Sequence, residues 1–197
     1  VGETEHGIIV RGARVLATLA PFADELAVYP AHPVRPDAHD YALAFCIPMD
    51  TPGLKFICRD SCSGTLNVHD HPLSSRFDEQ DAFAIFDDVE VPWDRIHINC
   101  NVQVYNQVMA TGWFPNVMQQ TMIRAQTKLE FAWGVATRMT EAVGGLQPPS
   151  IQMLGELWSY GEFARSCIRM AEETAYEFGN GVWFQNGAPM TALKSMM

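Results

Sequence analysis

Basic clusters and long apolar runs are both missing from this sequence. No two Lys or Arg residues are adjacent, and 13 basic against 23 acidic side chains give a formal net charge of -10. A protein of that sign without a basic patch does not attract phosphate backbones or anionic lipid. No apolar run of about 18 residues and no charged-then-apolar leader is present. Neither nucleic acid nor a membrane is therefore expected as a partner.

Paired cysteine motifs are missing as well. The five cysteines are odd in number and scattered, which favours a reduced, cytoplasmic compartment; they are Cys46, Cys58, Cys62, Cys100 and Cys167. Cys58-x-x-x-Cys62 has no second pair downstream. His69 and His71 would project to one side of an extended segment, yet no other ligand cluster has zinc spacing. We therefore expect no bound metal.

What is present is a composition typical of a globular protein. Of 197 residues, 48% are hydrophobic and 18% are charged, which is enough to bury a sizeable core. The chain starts at Val1 and enters a strand almost at once, whereas Met190 to Met197 reads as the opening of a helix. We expect the chain to be an internal fragment of a longer polypeptide.

The first hundred residues are patterned as short strands. Segments rich in Val, Ile, Phe and Tyr alternate with Gly, Pro and Asp turns, without room for crossover helices. The segments are 7–12, 14–18, 25–29, 41–47, 54–58 and 82–86. This spacing predicts an antiparallel β-sandwich or barrel over residues 1–100.

Residues 101–197 are patterned as helices. Apolar residues recur at spacings of three and four from Asn116 to Val143, and again from Ile151 to about Phe178. Gly144-Gly145 ends the first helix and Pro148-Pro149 starts the second. Two long helices with so short a link predict an antiparallel pair that begins a bundle. The predicted class is therefore α+β, with a β-domain followed by part of a helical bundle.

Thr18 stands where a predicted strand runs into a turn of small residues. A Thr hydroxyl beside small side chains can hydrogen-bond a flat ring that approaches the backbone. An ordinary strand threonine explains the same residues. On the first long helix, Gln119, Gln120 and Arg124 are polar; they can line a pocket, or form a solvated helix face.

Five segments, taken in order, resemble the 4-hydroxyphenylacetate 3-hydroxylase family. The resemblance covers about residues 7 to 178. The segments are Gly7-Ile-Ile-Val-Arg-Gly-Ala-Arg-Val-Leu-Ala-Thr18, Pro48-Met-Asp-Thr-Pro-Gly-Leu-Lys55, His71-Pro-Leu-Ser-Ser-Arg-Phe-Asp-Glu79, Phe86-Asp-Asp-Val-Glu-Val-Pro-Trp93 and Ile123-Arg-x-x-x-Lys-Leu-Glu-Phe131.

The resemblance implies an acyl-CoA-dehydrogenase-like architecture, of which this chain would be the middle β-domain and the start of the C-terminal bundle. Members of the family assemble as dimers or tetramers. They use reduced FAD from a separate flavin reductase, form a flavin hydroperoxide with oxygen, and hydroxylate phenols ortho to the hydroxyl group. Some relatives dehalogenate chlorophenols.

The resemblance also implies roles for individual residues. Thr18, with Ala17 and Leu19, would contact the reactive ring of FAD. Ala20, Gln119 and Gln120 would lie on the substrate side, and the loop from Cys62 to His71 would close over the substrate. Some members carry a His near Gln119, and an amide cannot act as a base. No catalytic base is therefore assigned, and the choice of phenol is left open, since the family's substrate-binding Arg, Tyr and His come from an N-terminal domain absent here.

Two alternatives remain. The 4-hydroxybutyryl-CoA dehydratases share the superfamily and add an iron–sulfur cluster, but residues 119–131 contain no Cys to ligate one. A non-catalytic binding module made of a sandwich and helices would bind no flavin.

Overall fold

The computed structural model describes residues 2–61 and 67–195, so Cys62 and the first part of the predicted loop from Cys62 to His71 lie outside the described residues. The chain divides into two compact units, Val1–Val108 and Met109–Met197. The first is a β-unit and the second is a helical unit. The predicted α+β class is confirmed.

The β-unit contains two antiparallel sheets. The first has the order β1-β2-β6-β5 and the second has the order β3-β4-β7. The strands are β1 (Gly2–Glu3), β2 (Gly7–Thr18), β3 (Glu25–Val28), β4 (Ala44–Pro48), β5 (Leu54–Cys58), β6 (Asp81–Pro92) and β7 (Ile96–Ile98). A short helix, α1 (Val102–Gln107), follows them, and the Asn101 side chain caps its start.

Apolar side chains from both sheets meet in one core. Ile8 from β2, Phe45 and Ile47 from β4, and Val89 and Val91 from β6 are each at most 2% exposed. Polar residues alternate with them along β6, as expected for a strand with one buried face. The β-unit is therefore a sandwich.

The helical unit consists of two long helices, a hairpin and a short helix. They are α2 (Trp113–Ala142), α3 (Pro148–Glu173), β8 (Tyr176–Gly179), β9 (Val182–Phe184) and α4 (Gly187–Lys194). Met118, Met122, Ile168, Met190 and Leu193 form a core shared by the three helices.

The two long helices run antiparallel. Gln119, near the start of α2, donates a hydrogen bond of 3.1 Å to Glu172, near the end of α3. Farther along α2, Glu130 accepts one of 2.5 Å from Arg165, which lies earlier on α3. The predicted antiparallel pair is confirmed. No helix in the described part of the chain is long and apolar enough to cross a membrane.

The structure corrects several sequence predictions of element bounds and conformation. The strand predicted from Tyr41 begins at Ala44, after a 3-10 turn at His39–Tyr41. The segments 7–12 and 14–18 form one strand, interrupted by register shifts. The segment around His69 and His71 is a turn and is not extended, because the amides of Asp70 and His71 both donate to the Asn67 carbonyl.

The second long helix ends at Glu173 and does not continue to about Phe178 as predicted. Its continuation is the β8–β9 hairpin, which turns at Gly179, Asn180 and Gly181, all with positive φ. An Asn-Gly pair between aromatic and β-branched residues is a strong hairpin signal. The helical spacing of the apolar residues before it concealed that signal.

Gly7 allows β2 and β6 to approach each other closely, which gives a test of the fold. A Cβ atom at Gly7 would overlap the carbonyl oxygen of Val91. We expect Gly7→Ala to lower the free energy of unfolding by about 1–3 kcal/mol, as overpacking does. At Gly2 in the same sheet, an added Cβ would meet only Ile9, at 4.0 Å. Gly2→Ala is therefore the control, and equal denaturant midpoints for the two variants would contradict the close packing.

Candidate functional site

Thr18 lies at the end of β2, directly opposite Asp81 at the start of β6. Its hydroxyl donates a hydrogen bond of 2.7 Å to the Asp81 carboxylate. The Thr18 side chain is exposed, and Asp81 is half-buried. A polar pair at the rim of a sheet, open to solvent on one side, is accessible to a ligand.

The sheet face next to this pair is apolar. Side chains two residues apart on a strand share a face, so Phe83 and Ile85 follow Asp81 on the outer side of β6. Ile57 on β5 is paired with Phe83. Phe83 is 47% exposed and Ile57 is 60% exposed. We call Thr18, Asp81, Phe83, Ile85 and Ile57 the outer face.

The strand β2 contains a bulge just before Thr18. The pairing with β6 slips between Arg14 and Ala17, and the intervening Val15 and Leu16 are 66% and 60% exposed. Bulges of this kind redirect side chains at the edges of sheets. Two further apolar side chains therefore project beside Thr18.

The chain reverses immediately after Thr18. Leu19 has φ 59°, in the left-handed region, and its amide donates a hydrogen bond of 2.7 Å to the carbonyl of Gln80. The Leu19 side chain is 45% exposed. Ala17 packs against the sandwich core and Ala20 is 3% exposed. Of the four residues that the resemblance places at this site, Thr18 and Leu19 have the exposed side chains.

A polar network holds the strand ends that border the outer face. Arg59 follows β5, and its guanidinium donates to Asp78 at 2.6 Å and to the carbonyl of Glu79. Ser61 donates to the other oxygen of Asp78 at 2.7 Å. The buried Gln80 donates to the carbonyl of Arg59. Residues 59–61 and residues 78–80, on either side of the segment 62–77, are thus connected by hydrogen bonds.

Gln119 and Gln120 belong to the helical unit, on α2. Gln119 is half-buried and bonded to Glu172, whereas Gln120 is exposed. Arg124, one turn later, is exposed as well. The structure therefore brings Thr18, Ala17, Leu19 and Ala20 together in one unit and places the two glutamines in the other.

A second polar cluster of the β-unit links β3, β4 and the turn after β6. Arg95 donates a hydrogen bond of 2.6 Å to Glu25, and the Cys46 thiol donates one of 3.3 Å to the other carboxylate oxygen of Glu25. The Arg95 guanidinium holds the pKa of Glu25 below its usual range. Burial, and then the neighbouring Glu25, raise the pKa of the Cys46 thiol. Such a thiol is a poor nucleophile near neutral pH.

No binding or catalytic role was predicted from the sequence for Asp81, Gln80, Arg59 or Asp78. Asp81 is 63 residues from Thr18 along the chain, so only strand pairing makes them neighbours. Within residues 2–61 and 67–195, no three His, Cys, Asp or Glu side chains converge as metal ligands would.

The outer face matches what a flat, partly polar ring requires. It has apolar side chains for the plane of the ring, and one hydroxyl at its end for an edge nitrogen. Ile85 has small Ala13 opposite it on β2 and Lys55 opposite it on β5. This chemistry is compatible with the flavin contact that the resemblance implies for Thr18.

Comparison with known proteins identifies relatives of both units. The family profile described as "4-hydroxyphenylacetate 3-hydroxylase N terminal" matches residues 1–98, and the profile described as "4-hydroxyphenylacetate 3-hydroxylase C terminal" matches residues 104–197. The 4-hydroxyphenylacetate 3-monooxygenase oxygenase component of Thermus thermophilus is 41% identical over 184 residues, which are 92% of this chain and 38% of that protein. The 4-nitrophenol 4-monooxygenase/4-nitrocatechol 2-monooxygenase oxygenase component of Rhodococcus opacus is 33% identical, over 94% of this chain and 35% of that protein.

Solved structures give the same result. A crystal structure of the oxygenase component of 4-hydroxyphenylacetate 3-monooxygenase, complexed with FAD and 4-hydroxyphenylacetate, covers the whole chain with a TM-score of 0.88 and 37% identity. This chain covers 41% of that protein. An archaeal 4-hydroxybutyryl-CoA dehydratase has a TM-score of 0.79 at 18% identity, which is a likeness of fold. The chain thus spans about two fifths of the length of the relatives that it matches.

The contact between Cys46 and Glu25 predicts how fast the thiol reacts. Glu25→Gln removes the carboxylate that helps to raise the pKa of Cys46, so we expect alkylation of Cys46 at pH 8 to become severalfold faster. Peptide-resolved mass spectrometry after timed labelling measures the rate. Cys167, in the helical unit, is the internal control. An unchanged rate at Cys46 would show that burial alone protects it.

Proposed function

The chain belongs to the 4-hydroxyphenylacetate 3-hydroxylase family, and from this membership we propose that it is part of the oxygenase component of a two-component, FAD-dependent monooxygenase. The full-length protein hydroxylates a phenol ortho to its hydroxyl group, using oxygen and reduced FAD that a separate flavin reductase supplies. The observation that carries this proposal is the match of two family profiles that together span both units.

FAD, when bound in its reduced form, supplies the electrons that activate oxygen, and this chain supplies the surface that positions it. Thr18 offers its hydroxyl to the edge of the ring. Ala17 and Leu19 flank that contact, and the main chain of Leu19 is fixed by its bond to Gln80. The network around Arg59 keeps the neighbouring strand ends in place.

The apolar outer face has a second role, which is to exclude water from the reacting oxygen. Water that reaches an activated oxygen species lets it escape as hydrogen peroxide, so a dry site raises the yield of product. Phe83, Ile85 and Ile57 give this face its apolar character, and the exposed Val15 and Leu16 precede Thr18 on β2. On the substrate side we place Ala20, Gln119 and Gln120.

We place the protein in the cytoplasm, as a homo-oligomer that is a dimer or a tetramer. The four cysteines of the described residues are free thiols, which suits a reducing compartment. The two long helices expose large apolar side chains that a larger bundle or a second copy would cover; examples are Phe131, Met139, Met153, Trp158 and Phe163.

The 197-residue chain by itself is expected not to hydroxylate phenols. Catalysis requires groups held within a fraction of an ångström, and a chain covering 38% of a relative carries only part of such a site. The measurement is catechol formation from a phenol with reduced FAD and oxygen, with the full-length protein as the positive control. Turnover by the 197-residue chain would show that it holds a complete site.

Thr18→Val in the full-length protein is expected to keep the fold and to lower the coupling, which is the fraction of reduced FAD consumed that yields hydroxylated product and not hydrogen peroxide. A hydrogen bond between neutral partners contributes about 0.5–1.5 kcal/mol, so the loss of the hydroxyl should weaken reduced-FAD binding or coupling by roughly threefold to tenfold. Val suits a strand as well as Thr does. Product and hydrogen peroxide are quantified per reduced FAD consumed, and the affinity for reduced FAD is titrated without oxygen.

Thr18→Ser is the matched control, since it keeps the hydroxyl and removes only a methyl group. We expect it to retain most of the coupling. If Thr18→Val hydroxylates with unchanged coupling and binds reduced FAD as tightly as the native protein does, Thr18 is an ordinary strand residue.

A further inference from the structure

The hydroxyl of Thr18 is committed as a donor. Its oxygen lies 2.7 Å from an oxygen of Asp81. An ionised carboxylate has only acceptor sites, so the shared proton must come from the threonine. A hydroxyl has one proton and two lone pairs, and with the proton engaged only the lone pairs remain for another partner. Thr18 therefore presents an acceptor to any ligand at the outer face.

This orientation is fixed from both sides of the pair. Thr18 and Asp81 are register partners at the ends of β2 and β6. On one side, the amide of Leu19 donates to the carbonyl of Gln80 at 2.7 Å. On the other side, the amide of Arg59 donates to the carbonyl of Asp81 at 3.1 Å. With the main chain held next to both residues, the side-chain hydrogen bond has one favoured geometry.

We propose that Asp81 is a positioning residue that makes this site select reduced over oxidised flavin. The inference rests on the proposed function, in which Thr18 contacts the central ring of FAD. Reduced flavin carries N–H at the reactive ring nitrogen, whereas the same nitrogen of oxidised flavin has a bare lone pair. An acceptor hydroxyl binds the first and repels the second. Asp81 acts through Thr18 and does not touch the flavin itself.

The selection suits a protein that receives its cofactor from another enzyme. Reduced FAD has to be captured from the reductase, and oxidised FAD has to leave so that it can be reduced again. A hydroxyl free to rotate would serve either form, because it can donate to a lone pair or accept from N–H. The carboxylate opposite Thr18 removes that freedom.

A negative charge near the ring has an additional effect, of opposite sign. Reduced flavin can carry a negative charge, which a nearby carboxylate disfavours. If Asp81 acted only through its charge, its removal would strengthen the preference for reduced flavin. If Asp81 acts by orienting Thr18, its removal weakens that preference. The direction of the change therefore separates the two effects.

The test is Asp81→Asn in the full-length protein, with the dissociation constants of reduced and oxidised FAD measured separately. The amide of Asn can donate to the Thr18 oxygen and so release the hydroxyl as a donor. We expect the ratio of the oxidised to the reduced dissociation constant to fall by about threefold to tenfold, the effect of one hydrogen bond. Asp81→Ala, which also releases the hydroxyl, should change the ratio in the same direction.

A matched control is available on the same strand. Thr4 donates a hydrogen bond of 2.7 Å to Glu90 of β6, nine residues after Asp81 and therefore about 30 Å along an extended strand. Glu90→Gln makes the same chemical change in a second threonine–carboxylate pair. We expect it to leave the ratio unchanged. A fall as large as that of Asp81→Asn would show that the effect does not depend on the contact with Thr18 and would overturn the proposal.

The Thr18→Val background completes the test. Without a hydroxyl to orient, Asp81→Asn should no longer lower the ratio, and an equal fall in both backgrounds would overturn the proposal. If Asp81→Asn in the native background leaves the ratio unchanged or raises it, the proposal for Asp81 is also overturned. The proposed function stays intact in that case, provided that reduced FAD still binds and phenol is hydroxylated. Failure of the native full-length protein to bind reduced FAD would instead refute the proposed function, and this inference with it.

Discussion

The antiparallel pairing of β2 with β6 is the interaction on which the β-unit depends. These two twelve-residue strands contribute Ile8, Val10, Phe86, Val89 and Val91 to the sandwich core. The same strand pair, after two register shifts, sets Thr18 opposite Asp81 at the far end. A shift of one residue would turn the buried side chains outward and separate the polar pair at the same time. Stability and site geometry therefore have a common origin.

The outer face is an exposed apolar surface on β6, whose opposite face is buried in the core. One side of β6 is buried and apolar, as a sandwich requires, but the other side is also apolar near Phe83 and Ile85. An exposed apolar sheet face next to a hydroxyl is costly in water unless a ligand or another part of the protein covers it. The bulge in β2 and the reversal at Leu19 concentrate this surface beside Thr18.

In the helical unit, polar side chains complement the apolar packing. Methionines from α2 and α4 pack with Ala164 and Ile168 of α3, while Arg165 bridges from α3 to Glu130 on α2. The hydrogen bonds from Gln126 and Arg165 hold the pKa of Glu130 below its usual range. Because the pair is exposed, it contributes mainly to the register between the helices and little to stability.

The sequence by itself determined the class of fold and most of the elements. Short segments rich in Val, Ile, Phe and Tyr between Gly, Pro and Asp turns marked the strands. Spacings of three and four marked α2 and α3, and the pairs Gly144-Gly145 and Pro148-Pro149 marked the link between them. These signals are local, because each depends on residues within one or two turns of each other. The family was also readable from the sequence, since its motifs are contiguous segments. The β8–β9 hairpin was missed because two local signals competed there.

Only the tertiary structure decided what surrounds the candidate site. Thr18 was a candidate from its position at a strand end, yet its hydrogen-bonding state depends on Asp81, which is distant in sequence. The hydrogen bonds among Arg59, Asp78 and Gln80 likewise connect the end of β5 to the start of β6. Pairing between distant segments is set by the fit of a whole buried face, not by the residues that happen to meet at its edge. For that reason the residue type could be read from the sequence, whereas the direction in which its proton points could not.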